Sequence, residues 1–298
     1  MNTTNVFIAS LPRSGSTLLG MMLGAHSRIC HIGESAYWSK LDTSSSRCCC
    51  GKIGCEYLIR MSTILSAHSG RMSAIRDACG MIDFIEEPSK VRHGLSHSAP
   101  VADQDSLRQS IQLCCQGLEI AADAARTVFG KEITIENTKY LPIAEELLRD
   151  ADWKVLIIAR DPRGIALSNK EAGNRKGVPR PVKDKIDLFL SFARRASEIA
   201  RHENALLIRY EDLCRDTTET LDLICNFLSA RFEPQMMEFK ENKGHFLMGN
   251  HMMHDQDQNV LEDLRWREAL SPEEKRLFVR DDLIQAYARI GYDLGKKP

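Results

Sequence analysis

Short, largely apolar runs alternate with helical patterns along this chain, and that alternation constrains the fold more than any other feature. The runs are Val6–Ser10, Arg28–Ile32, Glu132–Ile135, Trp153–Ala159 and Ala205–Arg209. Strands that alternate with helices favour a parallel sheet. The fourth run is apolar nearly throughout, as expected for a strand covered on both faces. We therefore predict an α/β fold of three layers, with a central parallel sheet flanked by helices.

The intervening segments carry helix signals. Apolar residues from Leu107 to Val128 recur at three and four residues, which is the pattern of an amphipathic helix. Further helices are expected at Leu141–Arg149, from Asp161 onward, at Lys183–Arg201, and in a final helix that Ser271 caps and Gly291 ends. We predict one domain over residues 1–298, with a mostly helical or irregular insert at about 43–104.

The charge balance excludes some partners. The chain has 40 basic and 41 acidic side chains, so it lacks the excess of positive charge that would predict binding to nucleic acid.

The sequence shows no sign of a targeting or membrane segment. We see no signal peptide, and the apolar runs are much shorter than the ~20 residues that a membrane-spanning helix requires. We therefore expect no membrane association and a cytoplasmic location.

The loop between the first strand and the first helix has the composition of an anion-binding loop. It reads Ser10-Leu11-Pro12-Arg13-Ser14-Gly15-Ser16-Thr17. In this position backbone N–H groups, a helix N-terminus and hydroxyls are offered to a phosphate-like group. A nucleoside triphosphatase would show Gly-x-x-x-x-Gly-Lys-Ser/Thr, and this chain does not. We therefore predict that this loop binds a phosphate-like group in a P-loop-like fold without that motif. An ordinary strand-to-helix turn is the alternative for the loop.

A second candidate for phosphate binding follows the fourth strand. Arg160 leaves the strand, Asp161-Pro162 begins a helix, and Ser168 lies about two turns along it. A guanidinium can hold phosphate with two N–H donors and a hydroxyl can add a third. The alternative is that Arg160 simply pairs with Asp161.

These two segments together resemble the PAPS-dependent sulfotransferases, especially their bacterial, carbohydrate and tyrosylprotein branches (PAPS, 3′-phosphoadenosine 5′-phosphosulfate). The resemblance implies that the loop Arg13–Thr17 (Arg13, Ser14, Gly15, Ser16 and Thr17) binds the 5′-phosphosulfate, and that Arg160 and Ser168 bind the 3′-phosphate. In Glu136-Asn137-Thr138-Lys139 it implies that Lys139 faces the sulfuryl group. In Tyr210-Glu211-Asp212-Leu213 it implies that Tyr210 lies beside the adenine. A solvated lysine and a core tyrosine are the alternatives.

The resemblance also implies a general base. Gly33-Glu34 after the second strand is similar to the Gly-Glu that supplies the base in tyrosylprotein and related bacterial members. Glu34 would take the acceptor proton, while Arg13 and Lys139 stabilise the transferring group. A solvated glutamate is the alternative, and His31 is the rival base. Towards the C-terminus, Gly244-His245, Gly249-Asn250 and Leu264–Arg267 are similar to the cofactor loop of carbohydrate-type members, but Asn250–Met253 departs from the usual Asn-Pro-x-Arg.

Ten cysteines are present, and four of them cluster as Cys48, Cys49, Cys50 and Cys55. A zinc site usually needs a second pair of ligands at a recognisable spacing, and none follows. We therefore predict no metal and a cysteine-rich surface loop.

The function predicted is sulfuryl transfer from PAPS to a hydroxyl or amine of a small-molecule or carbohydrate acceptor, whose identity the sequence leaves open together with the oligomeric state. Two alternatives stand beside it: a P-loop-like small-molecule kinase, which would need ATP and magnesium, and a non-catalytic nucleotide-binding protein on the same fold.

Overall fold

The structure is a computed structural model that describes residues 3–86, 104–149, 152–242, 244–246 and 260–295, with the side chains of residues 84–86 left out. Its described part contains a five-stranded parallel sheet in the order β2-β3-β1-β4-β5. The strands are β1 (Thr4–Ser10), β2 (Ile29–His31), β3 (Ile133–Lys139), β4 (Trp153–Ala159) and β5 (Ala205–Arg209).

The described helices are α1 (Ser16–Gly24), α2 (Glu56–Ser66), α3 (Ser69–Glu86), α4 (Gln104–Phe129), α5 (Leu141–Leu147), α6 (Pro162–Arg175), α7 (Ile186–Ile199), α8 (Tyr210–Arg215), α9 (Thr217–Phe227), α10 (Trp266–Ala269), α11 (Pro272–Arg276) and α12 (Asp281–Ala288). Short 3₁₀ turns occupy Ser35–Lys40, Val182–Lys185 and Pro234–Met236. The described part of the predicted insert contains α2 and α3, and residues 87–103 lie outside the description.

The sheet is buried on both faces, which explains the apolar runs of the sequence. In β1, Phe7 packs into one hydrophobic cluster while Val6 and Ile8 pack into the other, and all three side chains are fully buried. Successive residues of a strand point to opposite faces, so a strand covered on both sides is apolar at most of its positions. The predicted three-layer α/β fold with a parallel sheet is confirmed.

Two predicted elements differ from the structure. β3 extends to Lys139 although its second half is polar, because hydrogen bonds satisfy the buried Glu136 and Thr138 inside the strand. The predicted final helix is two helices, α11 and α12. Between them the chain turns to bury Phe278, whose ring lies 6.2 Å from that of Phe189. Packing of one aromatic side chain thus overrides a continuous helical pattern.

Candidate active site

One large cleft, about 810 Å³ in volume, opens at the carboxyl ends of the strands. Ligands of open α/β folds bind at this edge because the loops that follow the strands converge there. The lining includes the predicted site residues Arg13, Gly15, Ser16, Thr17, Glu34, Lys139, Arg160, Ser168 and Tyr210. The structure therefore brings together residues from the ends of all five strands.

Ser14 is the exception among the predicted site residues. Its side chain is fully buried, its hydroxyl has no hydrogen-bond partner, and it is not part of the cleft lining. A hydroxyl in this position cannot reach an anion in the cleft without a local rearrangement. The backbone around Ser14 still forms part of the loop between β1 and α1.

The loop that precedes α1 has an unusual backbone. Arg13 has φ 76° and Gly15 has φ 93°, both in the left-handed region. At Gly15 a Cβ atom would lie 2.5 Å from Cδ2 of Tyr210, so only glycine fits this close approach. α1 begins directly afterwards at Ser16, and its first N–H groups have no partner within the helix. A loop that ends at a helix N-terminus, where N–H groups lack partners within the helix, has the geometry that favours a bound anion.

Positive charge is concentrated beside this loop. Burial, together with the nearby Arg175 and Arg180, lowers the pKa of Arg13. All three arginines line the cleft. Like charges that lie close together raise the free energy of the site, and a bound anion relieves that repulsion.

Arg160 is 6% exposed and is fixed by three contacts. Its guanidinium donates to the carbonyl oxygen of Arg13 at 2.8 Å, donates to Asp263 at 3.3 Å, and lies 4.4 Å from the centre of the Tyr210 ring. The carboxylate of Asp161 does not pair with this guanidinium. That carboxylate caps α6 and pairs with Arg163 instead. The alternative in which Arg160 pairs locally with Asp161 is wrong.

The α6 helix is shaped to leave room for Arg160. A Cβ atom at Gly164 would lie 3.0 Å from Nε of Arg160. The start of α6 is also anchored from behind, because the buried Glu211 accepts from the backbone N–H of Asp161 at 2.9 Å and from the Tyr292 hydroxyl at 2.6 Å. Glu211 lies in the motif that predicted Tyr210, but its anchoring role needed Tyr292, which lies far along the sequence.

Glu34 and Lys139 form an ion pair in the cleft. The two segments that carry them are joined by their neighbours: the backbone N–H of Asn137 donates to the carbonyl oxygen of Gly33 at 2.9 Å, which extends the pairing of β2 with β3. Lys139 has φ 87°, a backbone conformation that is uncommon for residues other than glycine.

A buried carboxylate holds this pair in position. Glu136 accepts from the backbone N–H of Ser35 and from that of Thr138, each at 2.8 Å, and from the Thr138 hydroxyl. Burial raises the pKa of Glu136, and these hydrogen bonds oppose that rise. Glu136 thus links the residue after Glu34 to the residue before Lys139. Glu136 stands in the sequence motif that predicted Lys139, but its hydrogen bond with Ser35 could not be predicted from the sequence.

His31, the rival base, does not lie in the cleft. It is 2% exposed, both ring nitrogens lack hydrogen-bond partners, and its ring packs 4.3 Å from that of Phe246. Burial, with a smaller effect of Lys139, lowers the pKa of His31 to about 3. A base must reach the proton that it removes, and His31 has no access to this cleft.

The C-terminal segment reaches the cleft through Val260, Leu261, Asp263 and Arg265. The Tyr210 hydroxyl donates to the carbonyl oxygen of Leu261 at 3.3 Å. Arg265 pairs with Asp263 and Glu171, so two carboxylates hold its guanidinium in place. The predicted Gly249–Asn250 and Asn250–Met253 matches lie outside the described residues.

The comparisons with known proteins decide the family. The sequence model of the family described as "Sulfotransferase domain" matches residues 3–259. The chain belongs to the sulfotransferase domain family. The resemblance stated from the motifs is thereby confirmed, as is the prediction of a PAPS-dependent sulfotransferase at the level of the family. A comparison with curated proteins finds no match.

Two solved structures are similar to this sulfotransferase over almost the whole chain. The sulfotransferase domain of the olefin synthase of Synechococcus PCC 7002 has 20% identity and a TM-score of 0.55, covering 98% of this chain and 96% of that one. A sulfotransferase domain from the curacin biosynthetic pathway has 15% identity and a TM-score of 0.52, covering 98% and 99%. At these identities the likeness shows the fold.

Outside the cleft, the cysteine loop has a partner that the sequence did not indicate. Ligand atoms of Cys48, Cys50, Cys55 and His245 all lie within 4.8 Å of one another. The prediction of a metal-free protein rested on the lack of a second ligand pair nearby in the sequence. His245 lies 190 residues beyond Cys55, so that criterion could not find it. That prediction gains no support from the structure. Within the described residues, no helix is both long and apolar enough to cross a bilayer.

Proposed function

We propose that this sulfotransferase moves a sulfuryl group from PAPS to a hydroxyl or amine of a small-molecule or carbohydrate acceptor. One observation carries the proposal. The two predicted phosphate-binding segments and the Glu34–Lys139 pair line a single cleft. A donor with phosphate groups at two separate positions suits two separate anion sites better than a nucleoside triphosphate does.

In the proposed complex, the loop before α1 holds the 5′-phosphosulfate. Arg13, the backbone N–H groups and the hydroxyls of Ser16 and Thr17 are its donors. Arg160 and Ser168 bind the 3′-phosphate, and Tyr210 lies against the adenine. Phosphate at Arg160 would take the place of Asp263, which holds that guanidinium in the structure.

The proposed reaction is an in-line displacement at sulfur. The acceptor oxygen or nitrogen attacks sulfur and gives its proton to Glu34. The bond from sulfur to the bridging oxygen breaks, and its electron pair stays on the 5′-phosphate of the departing adenosine 3′,5′-bisphosphate (PAP). Lys139 and Arg13 stabilise the charge that develops on the bridging and sulfuryl oxygens, as preorganised cations do in transferase sites.

The ion pair gives Lys139 a defined place before the donor binds. Glu34 and Lys139 are 20% and 13% exposed, so both keep a path to the cleft while most of each side chain is packed. When the sulfuryl oxygens approach Lys139, Glu34 becomes available to the acceptor. The pair thus connects donor binding with activation of the acceptor.

The acceptor would enter where the lining is mixed in character. Tyr37, Leu188 and Phe192 supply apolar surface, and Lys176, Arg195 and Lys240 supply positive charge.

The proposed location remains the reducing cytoplasm that the sequence predicts. The free cysteines of the described chain are compatible with it.

The test is transfer of label from ³⁵S-PAPS to a panel of carbohydrates, peptides, alcohols and amines. We expect label on at least one acceptor class, with release of PAP. Phosphate transfer from ATP in place of sulfuryl transfer would support the kinase alternative. PAP binding without transfer to any acceptor would support a non-catalytic nucleotide-binding protein.

A further inference from the structure

The Cys48–Cys55 loop and the 244–246 segment meet away from the catalytic cleft. None of Cys48, Cys50, Cys55 and His245 lines that cleft. Cys48 and Cys55 are 0% and 4% exposed, while Cys50 and His245 are half-buried. Three thiols and an imidazole are poor hydrogen-bond partners for one another. Hydrogen bonding among them therefore does not explain why these four side chains converge.

The distances from His245 to two of the thiols are those of a tetrahedral metal site. Nδ1 of His245 lies 3.4 Å from Sγ of Cys55 and 3.9 Å from Sγ of Cys48. With bonds of about 2.3 Å to sulfur and about 2.0 Å to nitrogen, a tetrahedral zinc ion sets its sulfur and nitrogen ligands about 3.6 Å apart. The observed pairs lie on either side of that value. All four ligand atoms lie within 4.8 Å of one another, so small adjustments of the side chains would place them around one ion.

The loop backbone is built to hold its cysteines in this arrangement. The N–H of Gly51 donates to the carbonyl oxygen of Cys48 at 2.8 Å, and the N–H of Cys48 donates to that of Lys52 at 2.9 Å. Gly51 and Gly54 adopt φ values of 88° and 66°, which lets the loop turn sharply between Cys50 and Cys55. Cys48 and Cys50 therefore lie on one tight turn, and Cys55 follows it.

His245 is delivered by a separate part of the chain. The N–H of Cys49 donates to the carbonyl oxygen of Phe246 at 3.1 Å, and the Cys49 thiol donates to that of Gly244 at 3.2 Å. The imidazole stacks on Tyr57, with centroids 4.1 Å apart and planes 20° from parallel. These contacts fix the ring with Nδ1 towards the thiols.

We propose that Cys48, Cys50, Cys55 and His245 bind one zinc ion that ties the cysteine loop to the 244–246 segment. Thiolate and imidazole ligands in a tetrahedral set favour zinc among the common metals. Four protein ligands leave no open position, so the ion is structural and takes no part in sulfuryl transfer. On binding, the three thiols release their protons to solvent. Cys49 is excluded from the site because its thiol donates a hydrogen bond to the carbonyl oxygen of Gly244.

The first experiment measures zinc in the full chain, purified without a polyhistidine tag in metal-depleted buffer. We expect about one zinc per chain by elemental analysis. His245→Ala and Cys50→Ser should lose most of it, and His245→Cys should keep it because a four-cysteine set also binds zinc. Cys49→Ala is the matched control from the same loop and should keep its zinc.

A second measurement does not depend on whether these variants fold. After zinc is replaced by Co²⁺ in the wild-type chain, we expect the intense visible bands of tetrahedral cobalt and a thiolate-to-cobalt charge-transfer band. Three results would overturn the proposal: a wild-type chain with neither zinc nor a tetrahedral cobalt spectrum, stoichiometric iron instead of zinc, or a disulfide between two of these cysteines in the intact mass of freshly purified protein. Each is independent of whether PAPS is the donor.

Discussion

Glu34, which follows β2, and Lys139, the last residue of β3, form an ion pair inside the cleft. Their segments are joined by Glu136, which accepts from the N–H groups of Ser35 and Thr138. In the proposed reaction, a carboxylate and a cation held together in this way act on the two ends of one transfer step. Glu34 acts on the attacking oxygen or nitrogen, and Lys139 acts on the leaving oxygen.

The role of Glu34 predicts the behaviour of Glu34→Gln. Glutamine keeps the size of the side chain and an oxygen for Lys139, but it cannot accept the acceptor proton. Turnover should fall by ~10²-fold or more, in both kcat and kcat/KM. PAP affinity and Tm should change little. Glu132→Gln is the control, because it removes the carboxylate of an ion pair with Arg28 outside the cleft. Wild-type turnover by Glu34→Gln would make Glu34 a bystander.

The contact between Gly15 and Tyr210 predicts that Gly15→Ala loses cofactor binding. The added Cβ would lie 2.5 Å from the tyrosine ring, so the ring or the loop must move. We expect PAP affinity to fall at least about tenfold, or about 1.4 kcal/mol. Gly130→Ala is the matched control, since Gly130 also has a left-handed φ, 66°, but has nothing within 4 Å of its Cβ position.

Both glycine variants should lose about 1–2 kcal/mol of folding stability from backbone strain alone. Calorimetric titration with PAP then separates strain from contact. If Gly130→Ala weakens PAP binding as much as Gly15→Ala does, the loss comes from general destabilisation and the Gly15–Tyr210 contact is irrelevant to the cofactor.

Burial of His31 predicts a loss of stability in mild acid. Its folded-state pKa is lowered to about 3, whereas the unfolded chain binds a proton near pH 6.5. The unfolded state therefore holds more protons between these values, and stability falls as the pH drops from about 6.5 towards 3, by up to about 1.4 kcal/mol per unit.

Urea unfolding of the wild type and of His31→Phe at pH 7.5 and pH 5 tests this. Phenylalanine does not titrate, and the ring nitrogens that it removes have no partners. Between these two pH values the wild type should lose about 2 kcal/mol more stability than the variant. Equal losses in both proteins would show that other groups, such as Glu136 and Glu211, control the acid response.

Much of the fold could be predicted because β1 and β4 are buried on both faces and are therefore largely apolar. The position of the two proposed phosphate-binding segments at the cleft could be predicted because each follows a strand and precedes a helix. The polar half of β3 was missed, since its burial depends on hydrogen bonds from Ser35. His245 was missed as a neighbour of the cysteines, because only the tertiary fold brings it there.

The prediction for Arg160 tests the central claim most directly. Calorimetric titrations in magnesium-free buffer should compare PAP, 5′-AMP and ATP on the wild type and on Arg160→Ala. We expect PAP to bind the wild type most tightly, and the variant to lose about 2 kcal/mol of PAP binding, or about thirtyfold in Kd, with little change for 5′-AMP, which lacks the 3′-phosphate. ATP that binds as tightly as PAP, or PAP affinity that is unchanged in Arg160→Ala, would contradict a PAPS site in this cleft.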